Sequence, residues 1–148
     1  MGRPAADLLD VLRHQHATLA TAESLTGGRL AALVTDVPEE LVDRYGVVSP
    51  ECAGAMARGV RGLTGATYGL STTGVAGPEE QEGKPAGTVY VGVAGPDGDA
   101  ALALELVGDR AAIQERTCQE ALDALLAAVR GTSGGKNQAS GSVGQVPQ

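Results

Sequence analysis

The chain has 148 residues, a formal net charge of −7 and an apolar fraction of 43%, which suits one domain built around one core. Its apolar residues are 24 Ala, 16 Leu and 15 Val, with one Ile, three Tyr, no Phe and no Trp, so there are almost no aromatic faces on which nucleobases could stack. The acidic balance opposes a phosphate-backbone partner, and no apolar run reaches the roughly 18 residues of a membrane helix. Neither nucleic acid nor membrane is therefore expected as a partner. Asp7 and Asp10 fall where a signal peptide would be apolar, so the expected location is cytoplasmic.

The predicted elements begin with a helix over residues 5–16, whose Leu8, Leu9, Val11 and Leu12 share an apolar face. His14 and His16 at its end are two residues apart, a spacing that does not bring them to one helical face for a metal. Residues 17–22 (ATLATA) read as a strand. The polar turn Glu23-Ser24-Leu25-Thr26-Gly27-Gly28 then leads into a helix over residues 29–35, which stops near Asp36-Val37-Pro38. Ser49-Pro50-Glu51 is a helix start, with Ser as the cap and Pro at the first helical position. That helix runs to about Leu63, with Met56, Val60 and Leu63 on its apolar side.

Residues 67–73 (TYGLSTT) read as a second strand, opening into a loop punctuated by Gly74, Gly77, Pro78, Gly83 and Pro85. Residues 87–94 and 100–107 alternate with period two on either side of Pro96-Asp97-Gly98-Asp99, which predicts a hairpin. A long helix follows over residues 109–130, capped by Asp109, with Ile113, Cys118, Leu122, Leu125, Leu126 and Val129 directed inward. Cys52 and Cys118 both read as small buried apolar residues. The stretch 131–148 (GTSGGKNQASGSVGQVPQ) carries too little apolar surface to offset ordering entropy and reads as a disordered tail. This order of elements predicts an α/β layered domain with a mixed sheet.

Two loops have the composition of a site. A strand ending in Ser24-Leu25-Thr26-Gly27-Gly28 and feeding a helix puts hydroxyls and unpaired N–H groups at a helix N-terminus. That serves either as an anion cradle or as plain capping. The loop Thr72-Thr73-Gly74-Val75-Ala76-Gly77-Pro78 also follows a strand, and both loops could meet beyond the carboxyl ends of a sheet. Glu79, Glu80 and Glu82 read as a solvated face, because like charges so close together repel. Lys84 lies beside the second loop. Arg110 and Arg116 could pair with a phosphate or with surface carboxylates.

Six motifs in order carry a resemblance. They are Ala22-Glu23-Ser24-Leu25-Thr26-Gly27-Gly28, Asp36-Val37-Pro38, Tyr45-Gly46-Val47-Val48-Ser49, Thr73-Gly74-Val75-Ala76-Gly77-Pro78, Lys84-Pro85-Ala86-Gly87-Thr88-Val89-Tyr90 and Gly108-Asp109-Arg110. Together they resemble the C-terminal domain of the competence/damage-inducible protein CinA, over residues 5–130. The resemblance implies a three-layer α/β/α domain spanning residues 1–130. For the enzymatic members it implies nicotinamide-nucleotide amidohydrolase activity, which converts nicotinamide mononucleotide and water to nicotinate mononucleotide and ammonia, with no cofactor and no metal. It also implies Ser24 as the nucleophile and Thr26, Gly27 and Gly28 as donors to an oxyanion or phosphate. Thr73, Gly74, Val75, Ala76 and Gly77 become the second wall of the substrate pocket, and Arg110 a basic residue near the substrate.

One stretch of the family pattern is missing. After Pro38 the family carries a strand of the type G-G-V-V-x-Y-S-N and then a Lys, and that Tyr and Lys are the residues implied to activate the nucleophile. Here Pro38 runs straight into Glu39-Glu40-Leu41, so the sheet is expected to have one strand fewer. Tyr45 and Lys84 are the nearest substitutes by type, and neither matches the missing positions. Two readings remain open: an amidohydrolase with activity weak or lost, or a catalytically inactive nucleotide-binding or protein-interaction module. A homo-oligomer is expected, since a lost strand leaves sheet edge that calls for cover.

Overall fold

The computed structural model describes residues 3–24 and 37–133. Along them run α1 (Arg3–His14), β1 (Leu19–Ser24), α2 (Glu39–Tyr45), α3 (Pro50–Thr64), β2 (Tyr68–Gly74), β3 (Thr88–Gly95), β4 (Gly98–Glu105) and α4 (Arg110–Ser133). The strands form a sheet in the order β1-β2-β3-β4, with β1 parallel to β2 and the other two pairs antiparallel. A parallel pair needs a crossover, and α3 lies across the sheet between β1 and β2 in sequence. β3 and β4 are joined by a tight turn at Pro96-Asp97, closed by the Gly95–Gly98 pair.

Strand alternation divides the core in two. Tyr68, Leu70, Val91 and Val93 point to one face, where they cluster with Leu8 and Leu12 of α1 and Leu125, Leu126 and Val129 of α4. The opposite face presents Gly69, Ser71 and Gly92 to α3. There the carbonyl oxygens of Ala57 and Ala53 lie 2.1 and 2.2 Å from where a Cβ on Gly69 or Gly92 would stand. Ser71 Oγ donates to Ala53 O at 2.5 Å. In a chain without Phe or Trp, a helix of Ala53, Ala55 and Ala57 pressed onto strand glycines builds a dense layer from backbone contact. Beside it, Ala22, Val37, Val42, Val47, Cys52, Met56 and Val60 form the second cluster. The result is the three-layer arrangement anticipated above, with α2 and α3 on one side of a mixed sheet and α1 and α4 on the other.

Several expectations change in detail. Helix α2 was not anticipated; its Glu39 and Glu40 lie in the first turn, where the helix dipole favours acids, and it buries only Val42. Leu63 is 62% exposed rather than inward, because it sits in the last turn of α3, where Gly62 and Gly65 border open space. Cys118 is exposed as well. The buried row of α4 is Ile113, Thr117, Ala121, Leu125 and Val129, spaced by four, and Cys118 lies about 100° off it. Thr117 is buried in its place because its hydroxyl donates to Ile113 O at 2.7 Å. Helix α4 continues to Ser133, beyond the expected Arg130. The tail expected over 131–148 thus loses its first three residues to α4, and its remainder, like the helix expected over residues 29–35, lies outside the described residues. No helix among the described residues is long and apolar enough to cross a membrane.

Candidate active site

β1 and β2 run parallel and end level with each other, so Ser24, the last residue of β1, is paired in register with Thr73 of β2. Thr73 is in turn paired with Tyr90 of β3. Ser24, Thr73 and Tyr90 therefore form one cross-strand row at the carboxyl end of the parallel pair. The loop after β2 folds back at that end, with Val75 N donating to Thr88 O and Gly87 N to Val75 O, both at 2.8 Å. Arg110, the first residue of α4, donates from Nη1 to Gly77 O at 2.9 Å. The structure thus brings Ser24, Thr73, Gly74, Ala76, Gly77 and Arg110 to one end of the sheet, although they come from three distant parts of the chain. Thr26, Gly27 and Gly28 lie outside the described residues.

Two glycines of the loop are required by space. A Cβ on Gly74 would stand 2.6 Å from Thr88 O, and one on Gly77 (φ 84°) 2.6 Å from Ala86 Cβ. Thr73, Gly74, Val75, Ala76 and Gly77 are all buried. The Thr73 hydroxyl is already engaged, donating to Val47 O at 2.9 Å.

The segment Gly46-Val47-Val48-Ser49 leads into α3, and at its centre the backbone groups of Val47 and Val48 are held by side chains. Val47 N and Val48 N each donate to one oxygen of the Glu82 carboxylate, at 3.0 and 2.7 Å. Val47 O accepts from Thr73, and Val48 O accepts from Lys84 Nζ. Both valines are almost fully buried, so these four bonds satisfy groups that would otherwise be costly to bury. Gly46 has φ 79°, and a Cβ there would stand 2.8 Å from Glu82 Oε1. Ser49 Oγ caps α3 by accepting from Cys52 N at 3.1 Å, as its sequence signal indicated.

Glu79, Glu80 and Glu82 are all exposed, as the acidic run predicts, but the Glu82 carboxylate is in addition bound by two amides. Sequence reasoning missed it because Val47 and Val48 lie 35 and 34 residues away. The nearest signal was the neighbouring Gly83 and Lys84 in a tight turn closed by Gln81 and Lys84.

The charges near this end are mixed. α3 and α4 both begin here, capped by Ser49 and by Asp109, whose Oδ1 accepts from Ala112 N at 2.9 Å. Their N-termini and Arg110 add positive potential. Lys84 Nζ sits 5.8 Å from the centre of the Tyr90 ring. Tyr45 is 40% exposed, with Arg44 stacked 5.2 Å above its ring. Arg116 pairs with Glu120 at 3.2 Å on the surface of α4, which is the carboxylate alternative for that residue. Burial pushes the Cys52 thiol up to about 11, with the Glu82 charge adding to the effect.

Comparison with known proteins gives the same family from sequence and from shape. The model of the CinA C-terminal domain matches residues 3–40 and 34–129, two pieces that overlap just where the family segment is missing. A CinA-like protein of Frankia casuarinae is 45% identical over 141 residues, covering 78% of this chain and 33% of the relative. A putative competence-damage inducible protein of Halalkalibacterium halodurans is 38% identical, covering 80% of this chain and 35% of the relative. The chain spans about a third of the length of these curated relatives. Among solved structures, a competence or damage-inducible protein from Enterobacter asburiae superposes with TM-score 0.78 at 25% identity, over 85% of this chain and 96% of that one. A CinA superfamily protein from Klebsiella pneumoniae superposes with TM-score 0.79 at 26% identity, over 86% and 96%.

Proposed function

The chain belongs to the CinA C-terminal domain family, and from that premise we propose that its site is that of a nicotinamide-nucleotide amidohydrolase acting through Ser24. The observation that carries this reading is the register pairing of Ser24 with Thr73 at the end of the sheet where Gly77, Arg110 and two helix N-termini also gather. A nucleotide phosphate suits such a place, because helix N-termini and a guanidinium both favour an anion. The Ser24 hydroxyl attacks the carboxamide carbon of nicotinamide mononucleotide, the C–N bond breaks and ammonia leaves with the hydroxyl proton. Water then cleaves the resulting ester, releasing nicotinate mononucleotide and restoring the serine.

A second reading is favoured by a specific observation. Lys84, a substitute by type for the missing activating lysine, donates to Val48 O, and Tyr45 is turned to the surface under Arg44. On that reading the chain is a module that binds the nucleotide without turning it over, since an unactivated serine is a poor nucleophile. Ammonia release from nicotinamide mononucleotide, with calorimetric binding of the same nucleotide, separates the two. The amidohydrolase reading expects release that disappears in Ser24→Ala. Binding without release in a folded sample supports the module, and neither binding nor release removes both.

A further inference from the structure

Two side chains of the strap from Pro78 to Gly87 hold the segment that covers Thr73. Glu82 takes the N–H groups of Val47 and Val48, Lys84 takes Val48 O, and Thr73 itself takes Val47 O. The Val47–Val48 backbone is thereby pinned from two directions at once, from the strap and from β2. Neither valine lies in a helix or strand, so no ladder would hold the segment if the side chains let go. We propose that Glu82 and Lys84 are positioning residues: they hold Val47–Val48 against Thr73 and so fix the wall Thr73–Gly77 beside Ser24. What that wall does rests on the reading above, whereas the clamp itself does not.

The physical argument is one of leverage. A hydrogen bond from a charged group is stronger than one between neutral groups, and the Glu82 carboxylate accepts two N–H groups while leaving neither oxygen idle. The space for that approach is reserved by Gly46, whose missing Cβ would otherwise meet Glu82 Oε1 at 2.8 Å. Lys84 is held in turn over the Tyr90 ring, and Tyr90 is the β3 partner of Thr73. Both side chains therefore converge on the same cross-strand row that contains Ser24, Glu82 by way of Val47 and Thr73 and Lys84 by way of Tyr90. Displacing Val47 by even 1 Å removes the acceptor of a buried Thr73 hydroxyl, which must then reorient within the wall.

Amide hydrogen exchange by mass spectrometry on the full chain tests this. Wild type is compared with Glu82→Gln, which replaces one acceptor oxygen by a donor, and with Lys84→Met, which keeps the stem and removes the donor. Lys84→Arg serves as the conservative rescue. The proposal expects slow exchange at Val47 and Val48 in wild type. Both disruptive variants are expected to raise it by about tenfold or more, at residues 46–49 and also at 73–77, with α1 and α4 unchanged. Where wild type releases ammonia, kcat falls by about tenfold with little change in KM, and Lys84→Arg recovers it. Faster exchange confined to 46–49, or fast exchange there already in wild type, overturns the proposal. Should Glu82→Gln not fold, Lys84→Met decides alone. Absence of ammonia release from wild type removes the amidohydrolase reading and leaves the exchange result to stand by itself.

Discussion

Cys52 and Cys118 show how far residue type falls short of residue environment. Both sit on helices and both look like small core residues, yet Cys52 is fully buried and Cys118 is exposed. A thiol reacts as its thiolate, and burial with the nearby Glu82 charge raises Cys52 from 9.0 to about 11. In the native protein at pH 8, an aromatic disulfide reagent is expected to titrate one thiol promptly, and Cys118→Ser to abolish that signal. Two thiols titrating promptly in wild type would contradict the burial. The same shift has a consequence at high pH. Above pH 9 the unfolded chain loses the Cys52 proton while the folded chain keeps it, so stability falls as pH rises through the window from 9 to about 11. The loss is on the order of 2–3 kcal/mol by the top of that window. Chemical denaturation at pH 8 and pH 10.5 should show this slope in wild type and a shallower one in Cys52→Ala.

At the scale of elements, the sheet and α3 are fitted by what their residues lack. Gly92 leaves 2.2 Å between its missing Cβ and Ala53 O, and also lies against Ser71 Oγ. Gly92→Ala must push α3 away from β3, breaking the Ser71–Ala53 bond and opening the layer. The expected cost is about 3 kcal/mol, at the upper end of overpacking substitutions. Gly62→Ala is the contrast: it lies in the same helix with nothing within 4 Å of the new methyl group. Helix propensity there favours Ala by up to about 1 kcal/mol. Thermal melting of the two variants should move in opposite directions. The strands, the hairpin and the caps at Ser49 and Asp109 were legible beforehand, because period-two alternation and capping residues act over a few positions. The inward face of α4 was not fully legible: Thr117 outcompetes Cys118 by bonding to its own helix, so a polar residue occupies the buried row.

For the molecule as a whole, the N-terminal helix completes one of the two cores. Leu8 and Leu12 of α1 are buried among Leu125, Leu126 and Val129 of α4, and Gln15 Nε2 reaches Val129 O at 3.3 Å. The first helix and the last thus close one side of the sheet together. Leu12→Ala should cost about 2–5 kcal/mol, the range for a truncated buried leucine. It should also raise hydrogen exchange along the second half of α4 before any change near Ser24. Equal loss of protection at both ends would show that the two sides of the sheet do not behave as separate layers.

What the sequence determined by itself were the local and ordered features: the element types apart from α2, the hairpin, the caps of α3 and α4, the family motifs and the gap after Pro38. Those signals reside in neighbouring residues or in their order along the chain. What only the tertiary structure decided was who meets whom. The register of Ser24 with Thr73, the reach of Arg110 to Gly77 and the grip of Glu82 and Lys84 on Val47–Val48 join residues 33 to 49 positions apart. A carboxylate at position 82 looks the same in sequence whether it faces water alone or also binds two buried amides. Only the packing of α3 on the sheet, which brings those amides to the strap, distinguishes the two.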